Sequence, residues 1–376
     1  NSSTGVVTIN AIPDYEAKSS YSIDVVASDG TLTSTQAVTV SVADVAPAIG
    51  SGAAGSVSDG AAAGTTVYTA VASDVAGGAV SYSLSGTDAG SFSINSSTGV
   101  VTINAVPDFA SKSSYSFDVV ASDGVLASTK SVTVSVSNAA PGFNSGATGS
   151  VTEGAASGTA VYTAVASDVS SGTVSYSLSG TDAGSFTIDE ITGVVTIDAV
   201  PDYETKSSYS IDVVASDGTS SSTLAVTVSV DDVAPAIISG AAGGVTEGAA
   251  AGTTVYTTAA SDVAGGTLSY SLSGTDAGSF TINSSTGVVT INAIPDYEAK
   301  SSYSIDVVAS DGTLSSTQAV TVSVADVAPA ISSGAAGSVA EGAAAGTTVY
   351  TAAASEIAGG TVSYSLSGTD AGSFSI

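Results

Sequence analysis

The sequence predicts an all-β fold, a tandem array of seven-stranded Greek-key β-sandwiches. Three observations lead to it. The string NSSTGVVTINAIPDYEAKSSYSIDVVASDG, which starts at Asn1, returns with small changes at residues 95, 189 and 283, a period of 94 in a chain of 376. Apolar residues inside each copy recur at every second position, and no helical run of ten residues interrupts them. Gly, Ser and Asp clusters punctuate the copies at GTDAGS, NSSTG and SDG, where turns are expected.

The strands follow in order within one copy. Val80, Tyr82 and Leu84 alternate with Ser81 and Ser83, and Phe92 and Ile94 make a shorter pair. Tyr115, Phe117, Val119 and Ala121 alternate with Ser116, Asp118, Val120 and Ser122. Val132, Val134 and Val136 alternate with Thr133 and Ser135. Half-buried strands of this kind, about seven in 94 residues, pair into two antiparallel sheets. The inward tyrosines read as core rather than binding surface. The sequons at Asn1, Asn95 and Asn283 read as turns at an exposed hairpin tip.

The boundary between copies falls at the Asp-Val-Ala-Pro linker, Asp44 to Pro47, with equivalents ending at Pro141, Pro235 and Pro329. Complete modules are expected at 47–140, 141–234 and 235–328. Residues 1–46 are the C-terminal half of a module and 329–376 the N-terminal half of another. Two readings of this cut stand side by side. The segment is a window from a longer array, or the first half of one copy of the chain completes the last half of the next by strand complementation.

Composition limits the function. The chain has no Cys, Met, Trp or His, and its five basic residues are all Lys. Thiolate, imidazole and guanidinium chemistry is therefore excluded, as are disulfides and zinc–thiolate sites. A net charge of -29 argues against nucleic acid and anionic membranes as partners and in favour of cations. A content of 43% hydrophobic residues separates the chain from acidic disordered proteins. No apolar stretch is long enough to span a membrane. The Gly-rich stretches carry no phosphate-loop pattern. Paired carboxylates without a sugar-binding platform do not make a glycosidase. One enzyme needs one site, whereas a spacer needs copies.

The string TDAGSFTIDEITGVVTIDAVPDYETKSSYSIDVVASDG, from Thr181 to Gly218, followed by a valine-rich strand and DDVAP, resembles the cadherin-repeat family. It is especially similar to the cadherin-like modules of large bacterial surface proteins. The resemblance covers the whole chain. It implies cadherin/immunoglobulin-like sandwiches strung end to end outside the cell, with Ca²⁺ held at each junction by carboxylates of both neighbours. At the third junction the family's ligands look like Glu153, Asp202, Glu204 and Asp232, with Asp231 beside it, together with Asp262 and Asp311 of the next module. Their counterparts at the first junction are Asp14, Glu16, Asp44, Asp74 and Asp123. At the fourth they are Glu247, Asp296, Glu298, Asp326 and Glu356.

The chain also departs from the family. The Asn-Asp pair of the linker is missing, and Ala76, Ser170, Ala264 and Ala358 stand where a second aspartate follows strand B. At the second junction Asp59 replaces Glu, Phe109-Ala110 replaces Tyr-Glu and Asn138 replaces the linker Asp. The expectation is therefore one or two ions at the better junctions and none at the second. For the SDG aspartates a turn-capping role competes with ligation, and for Asp88, Asp182 and Asp276 in TDAG the turn reading is preferred.

The functional expectation is a non-enzymatic extracellular or cell-surface protein, structural or adhesive, that serves as a stalk or filament. Its partners are calcium, neighbouring copies of itself end to end or side by side, and a cell-surface protein or glycan. Two alternatives are a self-polymerising filament subunit and a carbohydrate-binding surface module.

Overall fold

Alternating valines and serines make strands because β-branched side chains fit a pleated surface with one face in and one face out. The computed structural model describes residues 1–169 and 172–376, so that Ser170 lies outside the described residues. The stretch from Pro141 to Ala234 shows the pattern of a complete module. One sheet has four strands in the order Thr148–Thr152, Ser221–Asp231, Ser208–Ser216, Ser175–Ser179. The other has three, in the order Ala160–Thr163, Val194–Ile197, Phe186–Ile188. The two-residue segment Gly142–Phe143 pairs separately with Ala166–Ser167. The same sheets recur one period earlier and one period later.

Pairing is antiparallel except at one edge, where Thr148–Thr152 lies parallel to Ser221–Asp231. An antiparallel sandwich was the expectation. The difference arises because the chain first pairs with Ala166–Ser167 at Gly142–Phe143 and then runs beside the last strand in the same direction.

The predicted alternation sets the core. In Ser208–Ser216, Ile211, Val213 and Ala215 are fully buried, and they face Val226, Val228 and Val230 of the last strand and Val195 and Ile197 of the other sheet. Each fully buried aliphatic side chain contributes about 1.5–3 kcal/mol, so these positions decide the stability of the module. Alternation fails in Ala160–Thr163, where Val161 and Tyr162 are both buried. The register shifts between Ala160 and Tyr162, a β-bulge that turns two successive side chains inward. The Tyr162 hydroxyl satisfies itself by donating to the carbonyl of Gly146 at 2.6 Å.

The hairpin tips need glycine. At Gly193 φ is +70°, and a Cβ there would lie 2.4 Å from the Ala164 carbonyl oxygen. The Asn95 side chain accepts from the N–H groups of Ser97 and Thr98 at 3.0 Å each, which makes that tip the turn expected from the sequence.

Residues 1–46 and 329–376 have the strand-forming sequence without the opposing sheet. Val40 is 42% exposed and Phe374 is 53% exposed, whereas their equivalents Val228 and Phe186 are buried. The inner faces are apolar because the sequence is that of a complete module.

A polar clip ties two loops together beside an aromatic pair in three successive modules. Lys206 reaches Asp182 at 2.5 Å, and its ammonium lies 4.8 Å above the ring of Tyr209. Tyr209 meets Phe186 edge-on across the core at 5.2 Å. The second oxygen of Asp182 accepts from the N–H of Ser210 at 2.8 Å. Lys112–Asp88 and Lys300–Asp276 repeat the arrangement. The TDAG aspartate thus does more than form a turn, since it ties that turn to the start of the long Ser208–Ser216 strand.

The hydrogen bonds from Lys206 and from Ser210 hold the Asp182 carboxyl below its ordinary value of 3.8. A lowered carboxylate stabilises the fold above its unfolded value and loses that contribution as pH falls through the folded value. Thermal unfolding of the Lys206→Met chain should therefore start lower than wild type at neutral pH. The gap should close as pH drops below about 3.8.

Candidate metal centres at the module junctions

The third junction is assembled from three loops of one module and two of the next. The Thr-Glu-Gly turn after strand Thr148–Thr152 supplies Glu153, which is buried. Its backbone N–H donates to the carbonyl of Asp231 at 3.0 Å, and the N–H of Gly154 donates to Pro201 at 2.9 Å. Its carboxylate then accepts twice, from Tyr203 N–H at 3.2 Å and from Val233 N–H at 2.9 Å. One side chain therefore fixes both the Pro-Asp-Tyr-Glu loop and the linker. Glu247 does the same with Tyr297 and Val327, at 3.1 and 2.6 Å.

The next module docks through an apolar contact. Gly154 sits so close to Val263 that a Cβ would lie 3.0 Å from the Val263 Cβ. Gly60 against Val169 and Gly248 against Ile357 repeat the contact. This pairing is invisible in the sequence, because the glycine belongs to one module and the branched side chain to the next.

The docked loops bring carboxylates together at the third junction. Glu153, Glu204 and Asp232 each offer an oxygen within 4.8 Å of the others, and so do Glu204, Asp262 and Asp311. Glu204 is common to both groups and joins them. Burial pushes the Glu204 carboxyl above its ordinary range, and the charges of Glu153, Asp232 and Asp262 add to the rise. Such a shift marks a place that prefers a proton or a cation to bare negative charge. Asp311 uses one oxygen to accept from Thr313 and Leu314 N–H at 2.8 Å each.

The first junction gathers Glu16, Asp44 and Asp123 within the same 4.8 Å limit, with Asp74 lining the cleft beside Glu16 and Asp44. The fourth gathers Glu247, Asp296 and Glu298. There burial raises the Asp326 carboxyl, with the charges of Glu247 and Glu356 contributing. Three predicted residues cap turns. Asp202 accepts from the N–H and the hydroxyl of Thr205 at 2.9 Å each. Asp14 accepts from Ala17 N–H and Asp296 from Ala299 N–H, both at 2.9 Å. Asp231 is exposed at the end of its strand and joins none of the clusters formed among the described residues.

The donor set can be tested for fit to a hard cation. Oδ2 of Asp44, Asp74, Asp123, Asp262 and Asp311 and Oδ1 of Asp232 are buried and accept no hydrogen bond. An unmade bond at a buried polar atom costs about 1–3 kcal/mol, and more for a charged one. All of these orphaned atoms are carboxylate oxygens at the first and third junctions. Oxygen-only donors converging from several loops suit calcium, which takes six to eight oxygens in flexible geometry. The residues present therefore fit the ion.

The arrangement also has relatives. The cadherin domain family matches residues 53–137, 147–231 and 242–325. Protocadherin Fat 4 of Homo sapiens is 31% identical over 269 residues, which is 66% of this chain and 5% of that protein. Protocadherin-23 of Homo sapiens is 33% identical over 159 residues, 40% of this chain and 5% of that protein. The chain thus spans about one twentieth of the length of these relatives. Among solved structures, mouse cadherin-23 EC22-24 is 26% identical, with a TM-score of 0.32, covering 76% of this chain and 100% of that one. The protocadherin γB4 extracellular domain is 25% identical, with a TM-score of 0.31, covering 92% of this chain and 63% of that one. With three matched domains making up more than half of its length, this chain belongs to the cadherin family.

Proposed function

We propose that the chain is a non-enzymatic extracellular array, structural and adhesive, whose modules form a rod stiffened by calcium at the first, third and fourth junctions. The observation that carries this reading is the set of orphaned carboxylate oxygens on both sides of the third junction: Asp232 from one module, Asp262 and Asp311 from the next. A cation there would bond to both modules and cancel their repulsion. Two unit charges about 5 Å apart repel by roughly 1–3 kcal/mol, depending on the effective dielectric. Calcium sites of extracellular modules bind at about 10⁻⁴–10⁻³ M, so these junctions would fill outside the cell and empty in the cytosol. Membership of a family of adhesion modules supports the same reading.

Calcium at about 100 times its Kd is worth about 2.7 kcal/mol, a shift of several degrees for modules of this size. Scanning calorimetry of the chain in calcium and in chelator should show that shift. Glu204→Ala should abolish most of it at the third junction, and Lys206→Met should leave it intact. Equal midpoints in the two buffers would refute the calcium reading.

The raised Glu204 carboxyl fixes the sign of the pH dependence. Its folded value lies above the ordinary 4.5, so the folded junction takes up a proton more readily than the unfolded chain. The calcium-induced shift should therefore shrink as pH falls from neutral towards 4.5, because protons compete for the same carboxylate. In chelator the cost of ionised Glu204 should fade over the same window. A calcium shift that is unchanged down to pH 4.5 would contradict this.

A further inference from the structure

The second junction has the frame of the others without two of their carboxylates. Asp59 is buried and accepts from Phe109 N–H at 3.0 Å, while its own N–H reaches the carbonyl of Ser137 at 2.9 Å. Gly60 meets Val169 of the next module as Gly154 meets Val263. The two modules are therefore docked in the common manner. Yet where the third junction has Glu204 and Asp232, the second has Ala110 and Asn138. Among the described residues, no three acidic side chains converge there.

A protein hydrogen bond stands in the gap. Asn138 Nδ2 donates across the junction to Oδ2 of Asp217 at 3.0 Å, and also to the Thr219 hydroxyl. Asp217 is the counterpart of Asp311, one period earlier. Both use Oδ1 in the same way, Asp217 accepting from Thr219 and Ser220 N–H at 2.7 and 2.8 Å. They differ at the other oxygen. Oδ2 of Asp311 is buried with no partner, whereas Oδ2 of Asp217 holds the Asn138 amide. The backbone N–H groups of Ser220 and Thr219, with Asn138 assisting, keep the Asp217 carboxyl far below the usual range, so the acceptor is charged. Exchanging Asp for Asn turns a like-charge encounter into a charge-assisted hydrogen bond.

We propose that the second junction is a cation-independent joint. In it the Asn138 amide holds two modules in the relation that a divalent cation holds at the third. The array then has two kinds of joint, and residues 47–234 remain one stiff unit when cations are withdrawn while the neighbouring junctions loosen. This contrast rests on the calcium reading above, but the Asn138 lock itself does not.

The chain contains no cysteine, so spin labels can be placed at will on the full-length protein. Ser83, Ser177 and Ser271 are exposed and equivalent in three successive modules. Ser83→Cys with Ser177→Cys reads the second junction, and Ser177→Cys with Ser271→Cys reads the third. Distance distributions from pulsed electron resonance should stay narrow for the first pair in calcium and in chelator, and should broaden in chelator for the second pair. Broadening of the first pair on chelation would overturn the proposal. An unresponsive second pair would overturn the calcium reading of the third junction and the contrast with it. Asn138→Ala should broaden the first pair in both buffers, and a width equal to wild type would overturn the lock. Combined Ala110→Glu and Asn138→Asp should make the first pair narrow in calcium only. If that variant stayed narrow in chelator, the amide would not be what holds the joint.

Discussion

The relation between one module and the next depends on a buried carboxylate that serves backbone rather than solvent. No strand pairing crosses the linker after Asp232, so its course is set by what the linker's N–H groups can find. Glu153 offers one oxygen to Val233 in the linker and the other to Tyr203 in the neighbouring loop. Those two bonds bring Asp232 and Glu204 close to Glu153, with an oxygen of each within 4.8 Å of the others. Once Val263 has seated on Gly154, Asp262 and Asp311 of the following module complete the cluster. The clustering of charge follows from hydrogen bonding to the Glu153 carboxylate and from the seating of Val263 on Gly154.

That order of causes explains why the junctions can differ while the modules do not. The second junction keeps the loop bond of Asp59 to Phe109 and the contact of Gly60 with Val169, so docking is preserved when charge is removed. With the docking contact kept, two positions, Ala110 for Glu204 and Asn138 for Asp232, separate the second joint from the third. An aspartate leaves a buried oxygen bare and invites a cation, and an asparagine brings its own donors. A protein built of near-identical modules can in this way vary its stiffness along its length by a few substitutions at the junction loops.

Much of the architecture is legible in the residues. The alternation of Tyr209, Ile211, Val213 and Ala215 gives a strand and names its buried face, and the 94-residue period gives the module length. Loops carrying Glu153, Asp202 and Glu204 are recognisable as junction loops from their family resemblance. What escapes the sequence depends on contacts between distant segments. The bulge that buries Val161 and Tyr162 together breaks a period-two rule that has no local exception. The parallel pairing of Thr148–Thr152 is with Ser221–Asp231, far along the chain. The Lys206–Asp182–Tyr209 clip joins ordinary residues that only the folded turn brings together. Asn138 is visible as a departure, but its partner Asp217 lies in another module and becomes apparent only in three dimensions.

The central claim is that the junction carboxylates need a cation to hold the modules in line. Small-angle X-ray scattering of the whole chain tests it most directly. The maximum dimension should shorten when calcium is replaced by chelator, and should recover with calcium but not with sodium at matched ionic strength. Superimposable curves in calcium and chelator would contradict the account.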